Sequence, residues 1–235
     1  MKAGILAAGQ GERLRTGGYV LPKALIPIGG VPLIGHILSA LQHVRVEEAI
    51  CIINEESQQV LTYCQQRDWG MPVTVVTKTT ANSFASFLTI YPHLADAPSL
   101  LLMVDSVFPA PVLSRLVNFV AHVPEADGVL GVTPFIDDEK PVWVESENDG
   151  RIRALGESVS QRTLVTAGIY YVTPAIRPAV EEARQLRFTA LRQFLEYLVS
   201  QDYRLYAYQM RKVVDVDRPA DIQAAEALLA ESKEG

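Results

Sequence analysis

Two stretches of this chain, Ala49–Ile53 and Leu100–Val104, are apolar at every position. A strand with one wet face alternates apolar and polar side chains. An unbroken run of five therefore implies burial on both faces, as inside a parallel sheet. Related short runs rich in Val, Ile and Leu occur at Ala3–Ala7, Val73–Thr77, Gly128–Val132 and Val165–Tyr171. Between and after them lie segments with helical period: Pro32–His43, Glu56–Arg67, Ser83–His93, Pro111–His122, Ala175–Ala183, Ala190–Gln201 and Ala220–Ser232. Such alternation predicts an α/β fold with right-handed crossovers. Pro141–Leu155 differs, because Asn148-Asp149-Gly150 between two short runs reads as a β-hairpin turn and makes the sheet mixed. No repeat, low-complexity tract or linker interrupts the pattern, so residues 1–235 are expected to form a single domain.

The chain carries 27 acidic against 21 basic residues, a net charge of −6, which argues against a duplex nucleic-acid partner. A local basic cleft for a small phosphate ligand is still allowed. Cys51 and Cys64 match no metal or redox spacing and are expected to be free thiols. The start has too short an apolar run for a secretory signal, and no apolar stretch reaches about 18 residues, so no membrane span is expected and the chain reads as cytoplasmic.

The first strand runs into Leu6-Ala7-Ala8-Gly9-Gln10-Gly11-Glu12-Arg13-Leu14. In open α/β sheets ligands sit beyond the carboxyl ends of strands, where this loop falls. Gly9 and Gly11 let backbone approach a ligand, and the Arg13 fork suits phosphate oxygens. The dinucleotide fingerprint would need glycine where Leu14 stands, and the Gly-Lys-Ser/Thr of a Walker A loop occurs nowhere. Eight residues after Leu14 comes Pro22-Lys23-Ala24-Leu25, then Gly30-Val31-Pro32-Leu33-Ile34, where Lys23 offers a compact charge.

Together, Gly-x-Gly-x-Arg-Leu, Pro-Lys-Ala-Leu and Gly-x-Pro-Leu-Ile resemble the nucleotidyltransferases that make nucleoside-diphosphate sugars, closely over residues 3–34 and more loosely to about residue 230. The resemblance implies a Rossmann-like three-layer domain of the nucleotide-diphospho-sugar transferase type, with a mostly parallel mixed sheet flanked by helices. It implies that Leu6, Ala7, Ala8, Gly9 and Gly11 cradle the nucleotide, while Arg13 and Lys23 bind triphosphate and substrate phosphate. The chain stops soon after the Ala220–Ser232 helix, so no C-terminal acyltransferase domain of the kind some relatives carry is expected.

Asp105 closes the Ser99–Val104 run, and an unpaired carboxylate at the end of a buried strand is poorly explained by packing. Mg²⁺, a hard cation that takes carboxylates, phosphate oxygens and waters, explains it well. Late in the chain, Asp215 and Asp217 are spaced to project from one side of a strand, able to converge on the same ion as Asp105. Either could be the second ligand, with Asp215 favoured; the resembled pattern Asp-x-Asp-x-Pro-x-Asp-Leu has its metal site here. Asp221 is expected to serve the following helix terminus.

The chain also departs from the resembled pattern. Where base-contacting Gly-Thr-Ala is common it has Thr79-Thr80-Ala81-Asn82-Ser83, so Thr80 and Asn82 offer hydrogen bonds to the base, or Asn82 or Ser83 merely caps the next helix. Glu139-Lys140-Pro141 imitates a sugar-phosphate motif but precedes the hairpin; the corresponding position is Gly156-Glu157-Ser158, which keeps glutamate and loses lysine. Glu157, Thr166 and Gly168 are then the candidate substrate-binding residues. The four histidines lack ligand spacing.

The reaction this implies is Mg²⁺-dependent transfer from an NTP to a sugar 1-phosphate, giving an NDP-sugar and pyrophosphate. A cytidylyltransferase acting on phosphocholine or an inositol phosphate is the main alternative. A non-catalytic nucleotide sensor and a glycosyltransferase reading of Asp215-Val216-Asp217 are weaker ones. The base, the acceptor and any homo-oligomeric state are left open.

Overall fold

A computed structural model describes residues 1–136 and 141–231. In chain order the elements are β1 (Lys2–Ala7), α1 (Glu12–Thr16), β2 (Pro27–Ile28), β3 (Val31–Pro32), α2 (Leu33–Gln42), β4 (Ala49–Ile53), α3 (Gln58–Gln65), β5 (Val73–Thr77), α4 (Ser83–Leu94), β6 (Ser99–Met103) and β7 (Ser106–Val107). They continue with α5 (Pro111–Val120), β8 (Gly128–Thr133), β9 (Trp143–Ser146), β10 (Ile152–Leu155), β11 (Leu164–Val172), α6 (Arg177–Ala183), α7 (Leu191–Ser200), β12 (Leu205–Gln209), β13 (Val214–Asp215) and α8 (Pro219–Glu231).

The main sheet runs β5-β4-β1-β6-β11-β8-β12, and the hairpin β9–β10 pairs with the opening of β11. β5, β4, β1 and β6 are mutually parallel, as are β8 and β12, while β11 is antiparallel to β6 and β8. The all-apolar runs become β4 and β6, each buried between two hydrophobic clusters, one per face of the sheet. Side-chain alternation assigns Ile5 and Cys51 to one cluster and Leu6 and Ile52 to the other. Burying such strands on both faces is the main stabilising term of the fold.

Because β1, β4, β5 and β6 are parallel and adjacent, the loops leaving their carboxyl ends gather along one edge. That edge receives Ala8–Arg13, Asn54, Thr80–Ser83 and Asp105. The sequence reading did not contain the two-residue pair β2–β3, the strand β7, the short helix α1 or the edge strand β12, and it put Asp215 and Asp217 on one strand, whereas β13 ends at Asp215 and Asp217 follows it. Two-residue strands have no periodicity to detect. They exist because a distant partner supplies the ladder, as Val107 and Ser106 do for Val214 and Asp215. Glu139-Lys140 and Ser232 lie outside the described residues. No described helix is long and apolar enough to cross a membrane.

Candidate active site

Two cavities meet over the end of β6. The first, about 580 Å³, is lined by the glycine loop, Arg13, Lys23, Asn54, Thr80–Ser83, Asp105 and Asp217. The second, about 170 Å³, is lined by Ser106, Thr133, Phe135, Thr166–Gly168, Tyr170, Arg192 and Asp215 among others. Met103 and Asp105 line both.

Local geometry explains how the first cavity forms. Gly11 adopts φ +62°, and a Cβ there would meet Lys23 Cβ at 2.9 Å, so glycine is what lets the loop close onto Lys23. Among the described residues, nothing beyond its chain neighbours lies within 4 Å of a Cβ built on Gly9, and the glycine lines the cavity. Leu6 and Ala8 face the cavity, whereas Ala7, one residue out of phase, is buried in the core on the other face. Ala7 therefore lends only backbone, because a strand alternates its sides.

The carboxylates arrive from two distant segments. Val214 and Asp215 pair with Val107 and Ser106, and Val216 N–H donates to the Asp105 carbonyl at 3.0 Å. Asp221 Oδ2 accepts the backbone N–H groups of Asp217 and Arg218 at 2.9 and 2.6 Å, turning the chain into α8. Asp105, Asp215 and Asp217 each bring one oxygen to within 4.8 Å of the others. Asp215 faces the second cavity, Asp217 the first, and Asp105 both.

Lys23 sits among them, 7% exposed. Its Nζ donates to Asp105 Oδ2 at 2.6 Å and Asp217 Oδ1 at 2.5 Å, and Arg13 Nη1 reaches Asp217 Oδ2 at 3.0 Å. Burial opposes the charge on Lys23, but Asp105, Asp215 and Asp217 together outweigh it and hold the amine above its ordinary range. The ammonium stays charged at any physiological pH. Three carboxylates crowded around one cation form a hard, all-oxygen donor set of the kind a small divalent cation accepts.

Other expected residues fall as follows. Asn82 caps α4, its Oδ1 accepting from Ala85 N–H at 2.9 Å, and still lines the first cavity; Thr80 shares a 2.6 Å hydrogen bond with Ser86. Thr166 and Gly168 line the second. Gly168 has φ +69°, and a side chain there would collide with the Ser106 hydroxyl, so glycine is demanded where β11 bulges past β7. Burial pushes the Tyr170 hydroxyl up to about 12, partly relieved by a hydrogen bond with Thr166. The Glu157 side chain is 93% exposed, pairs with Arg162 and lines neither cavity. Gly156 before it adopts φ +74°, a left-handed turn that favours glycine, and a Cβ there would meet the flexible end of Glu196.

The sequence reading passed over Asn54, Ser106, Thr133 and Arg192. Asn54 had a detectable signal, a polar residue at the end of an all-apolar strand, like Asp105. Its Oδ1 accepts from Glu56 N–H at 3.0 Å and Thr79 Oγ1 at 3.3 Å, tying the β4 and β5 loops together.

Residues 3–169 match the model of the MobA-like NTP transferase domain. A probable mannose-1-phosphate guanylyltransferase of Arabidopsis thaliana is 28% identical over 94% of this chain and 63% of its own length. The CMP-5'-(3-aminopropyl)phosphonate synthase of Streptomyces rubellomurinus is 28% identical over 96% of this chain and 38% of its own. The chain thus spans less than two thirds of either relative. In fold it is similar to the inositol-1-phosphate CTP transferase of T. maritima, with a TM-score of 0.82, 23% identity, and coverage of 100% of this chain and 96% of that one. With a glycine loop, an arginine and a lysine meeting converged carboxylates at the carboxyl edge of such a sheet, this chain belongs to the MobA-like NTP transferases.

Proposed function

We propose that the chain joins an NTP to a sugar 1-phosphate, releasing pyrophosphate. One observation carries this reading: Asp105 lines both cavities, so ligands held in each would meet at a single carboxylate. The first cavity suits an NTP, with its glycine loop, open space over Gly9, and Arg13 and Lys23 within it.

An oxygen of the acceptor phosphate attacks the α-phosphorus of the NTP. The new P–O bond forms as the bond to the bridging β-phosphate oxygen breaks, and the pair leaves with pyrophosphate. A phosphomonoester is already ionised at pH 7, so no general base is required. What this chain supplies is alignment and charge. Asp105, with Asp215 and Asp217, would hold Mg²⁺. Bound there, the ion would supply positive charge to phosphate oxygens. Arg13 and Lys23 neutralise charge developing towards pyrophosphate and acceptor. Buried free Cys51 and Cys64 suit a cytoplasmic setting.

A second reading has its own support. Much of the second cavity is apolar, including Met103, Phe135, Val142, Val165 and Val213. An apolar wall that includes Phe135 suits the trimethylammonium of phosphocholine, one acceptor of the cytidylyltransferase reading, better than a hydroxyl-rich ring. The test is pyrophosphate release from five NTPs with Mg²⁺ against glucose 1-phosphate, mannose 1-phosphate, inositol 1-phosphate and phosphocholine. Turnover with a hexose 1-phosphate supports the first reading, and turnover only with CTP and a non-sugar phosphate supports the second. No release from any pair defeats both.

A further inference from the structure

The second cavity poses a charge problem. Two carboxylates, Asp105 and Asp215, line it, yet the acceptor proposed for it is a dianion. The loop at Gly156-Glu157-Ser158 has no lysine and turns its glutamate to solvent. Among the described residues that line this cavity, one is cationic: Arg192.

Arg192 follows the first residue of α7, and that end of the helix is fastened. Leu191 N–H donates to Ser83 Oγ at 3.0 Å, and Gln193 Oε1 accepts from the N–H groups of Thr189 and Ala190 at 2.7 and 3.2 Å. Ser83 lines the first cavity while Arg192 lines the second, so the pinned turn stands where the two approach each other. One turn further along, Glu196 packs against Gly156 and lies within electrostatic reach of Arg192.

We propose that Arg192 grips the phosphate of the acceptor, its planar fork bridging two phosphate oxygens at the mouth of the second cavity. Resting on the acceptor reading above, this assigns the site to dianionic phosphomonoesters and makes the phosphate, rather than the alcohol, the main source of acceptor affinity. A guanidinium makes two parallel, charge-assisted hydrogen bonds where an ammonium makes a point contact. Losing one such contact weakens binding roughly ten- to hundredfold.

The test is isothermal titration of glucose 1-phosphate, inositol 1-phosphate and phosphocholine, with the free alcohols as controls, on wild type, Arg192→Gln and Arg192→Lys in Mg²⁺ and a non-hydrolysable NTP analogue. The expected result is that the phosphomonoester bound by wild type binds Arg192→Gln ten- to hundredfold more weakly. Arg192→Lys recovers part of the loss, and affinity for the NTP analogue and the melting temperature are unchanged. Equal phosphomonoester affinity in wild type and Arg192→Gln would overturn the role of Arg192 and leave the acceptor reading standing. If wild type binds none of the three phosphomonoesters, the acceptor reading falls and this assignment with it.

Discussion

The two cavities are built in opposite ways. The first is walled by loops that leave neighbouring parallel strands, so each wall sits beside the next by virtue of sheet order. The second is assembled across an antiparallel junction, from a bulge in β11, the end of β8, the two-residue strand β13 and the first turn of α7. The first holds a buried cation among carboxylates; the second is lined by the half-buried Asp105 and Asp215 and the exposed Arg192. On the proposed reading the first holds the NTP phosphates and the second selects the acceptor.

The largest effects should arise where the cavities share atoms. Asp105→Ala and Lys23→Ala should each lower turnover by roughly 10²–10³, about 3–4 kcal/mol, as loss of one transition-state charge does. Lys23→Ala should also lower stability, because it leaves three half-buried carboxylates facing one another without their cation; a lowered denaturant midpoint in metal-free buffer is the measurement. Wild-type turnover in either variant would undo the shared centre. Next comes Gly9→Ala. It meets no chain atom, so its melting temperature should hold while the NTP KM rises roughly tenfold or more through misplaced phosphate. An unchanged KM would mean that no ligand comes close to Gly9.

Gly168→Ala should show the opposite split. The left-handed backbone alone costs about 1–2 kcal/mol, the Ser106 clash adds to it, and the acceptor KM rises while the NTP KM stays. Adding Ser106→Ala should relieve the clash and not the backbone strain, so only part of the stability returns.

Acid should loosen the hairpin. Glu145, on β9, is held down to about 2 by Arg153, then by the N–H and hydroxyl of Ser160. A carboxylate depressed by folding contributes stability that is present above its unfolded value of 4.5 and lost as pH falls from there towards 2. Trp143 fluorescence in a Trp69→Phe background should change across that window and stay flat in Glu145→Gln. The smallest effect belongs to Glu157→Ala. Its solvated side chain predicts a stability change within about 0.5 kcal/mol and unaltered kinetics; a raised acceptor KM would draw it back into the site.

The same contrast explains what could be read from the chain before folding. The first cavity was legible because Gly9, Gly11, Arg13 and Asp105 follow recognisable strands, and parallel sheets present ligands at those ends; Lys23 was legible only through its Pro-Lys-Ala-Leu motif. The strands themselves were legible because burial on both faces leaves nothing but apolar residues. Arg192 and Ser106 were not legible, since their place depends on pairings across most of the chain. The exposure of Glu157 was not legible, because continuity with a motif says nothing about which way a tight turn aims its side chain. Asn82 was legible as the cap of α4, and it also lines the first cavity.

The ladder that sets Asp215 beside Asp105 has two rungs, Val214–Val107 and Asp215–Ser106. On a ribosome, β1 and β6 emerge and can pair while the segment bearing Asp215 and Asp217 is still unmade or inside the exit tunnel. A nascent chain can thus own most of the first cavity while two of the three converging carboxylates are still missing. On the proposed reading, competence is conferred late, in one stroke, when this small clasp shuts, and damage that merely loosens the clasp would silence the protein while sparing most of its architecture.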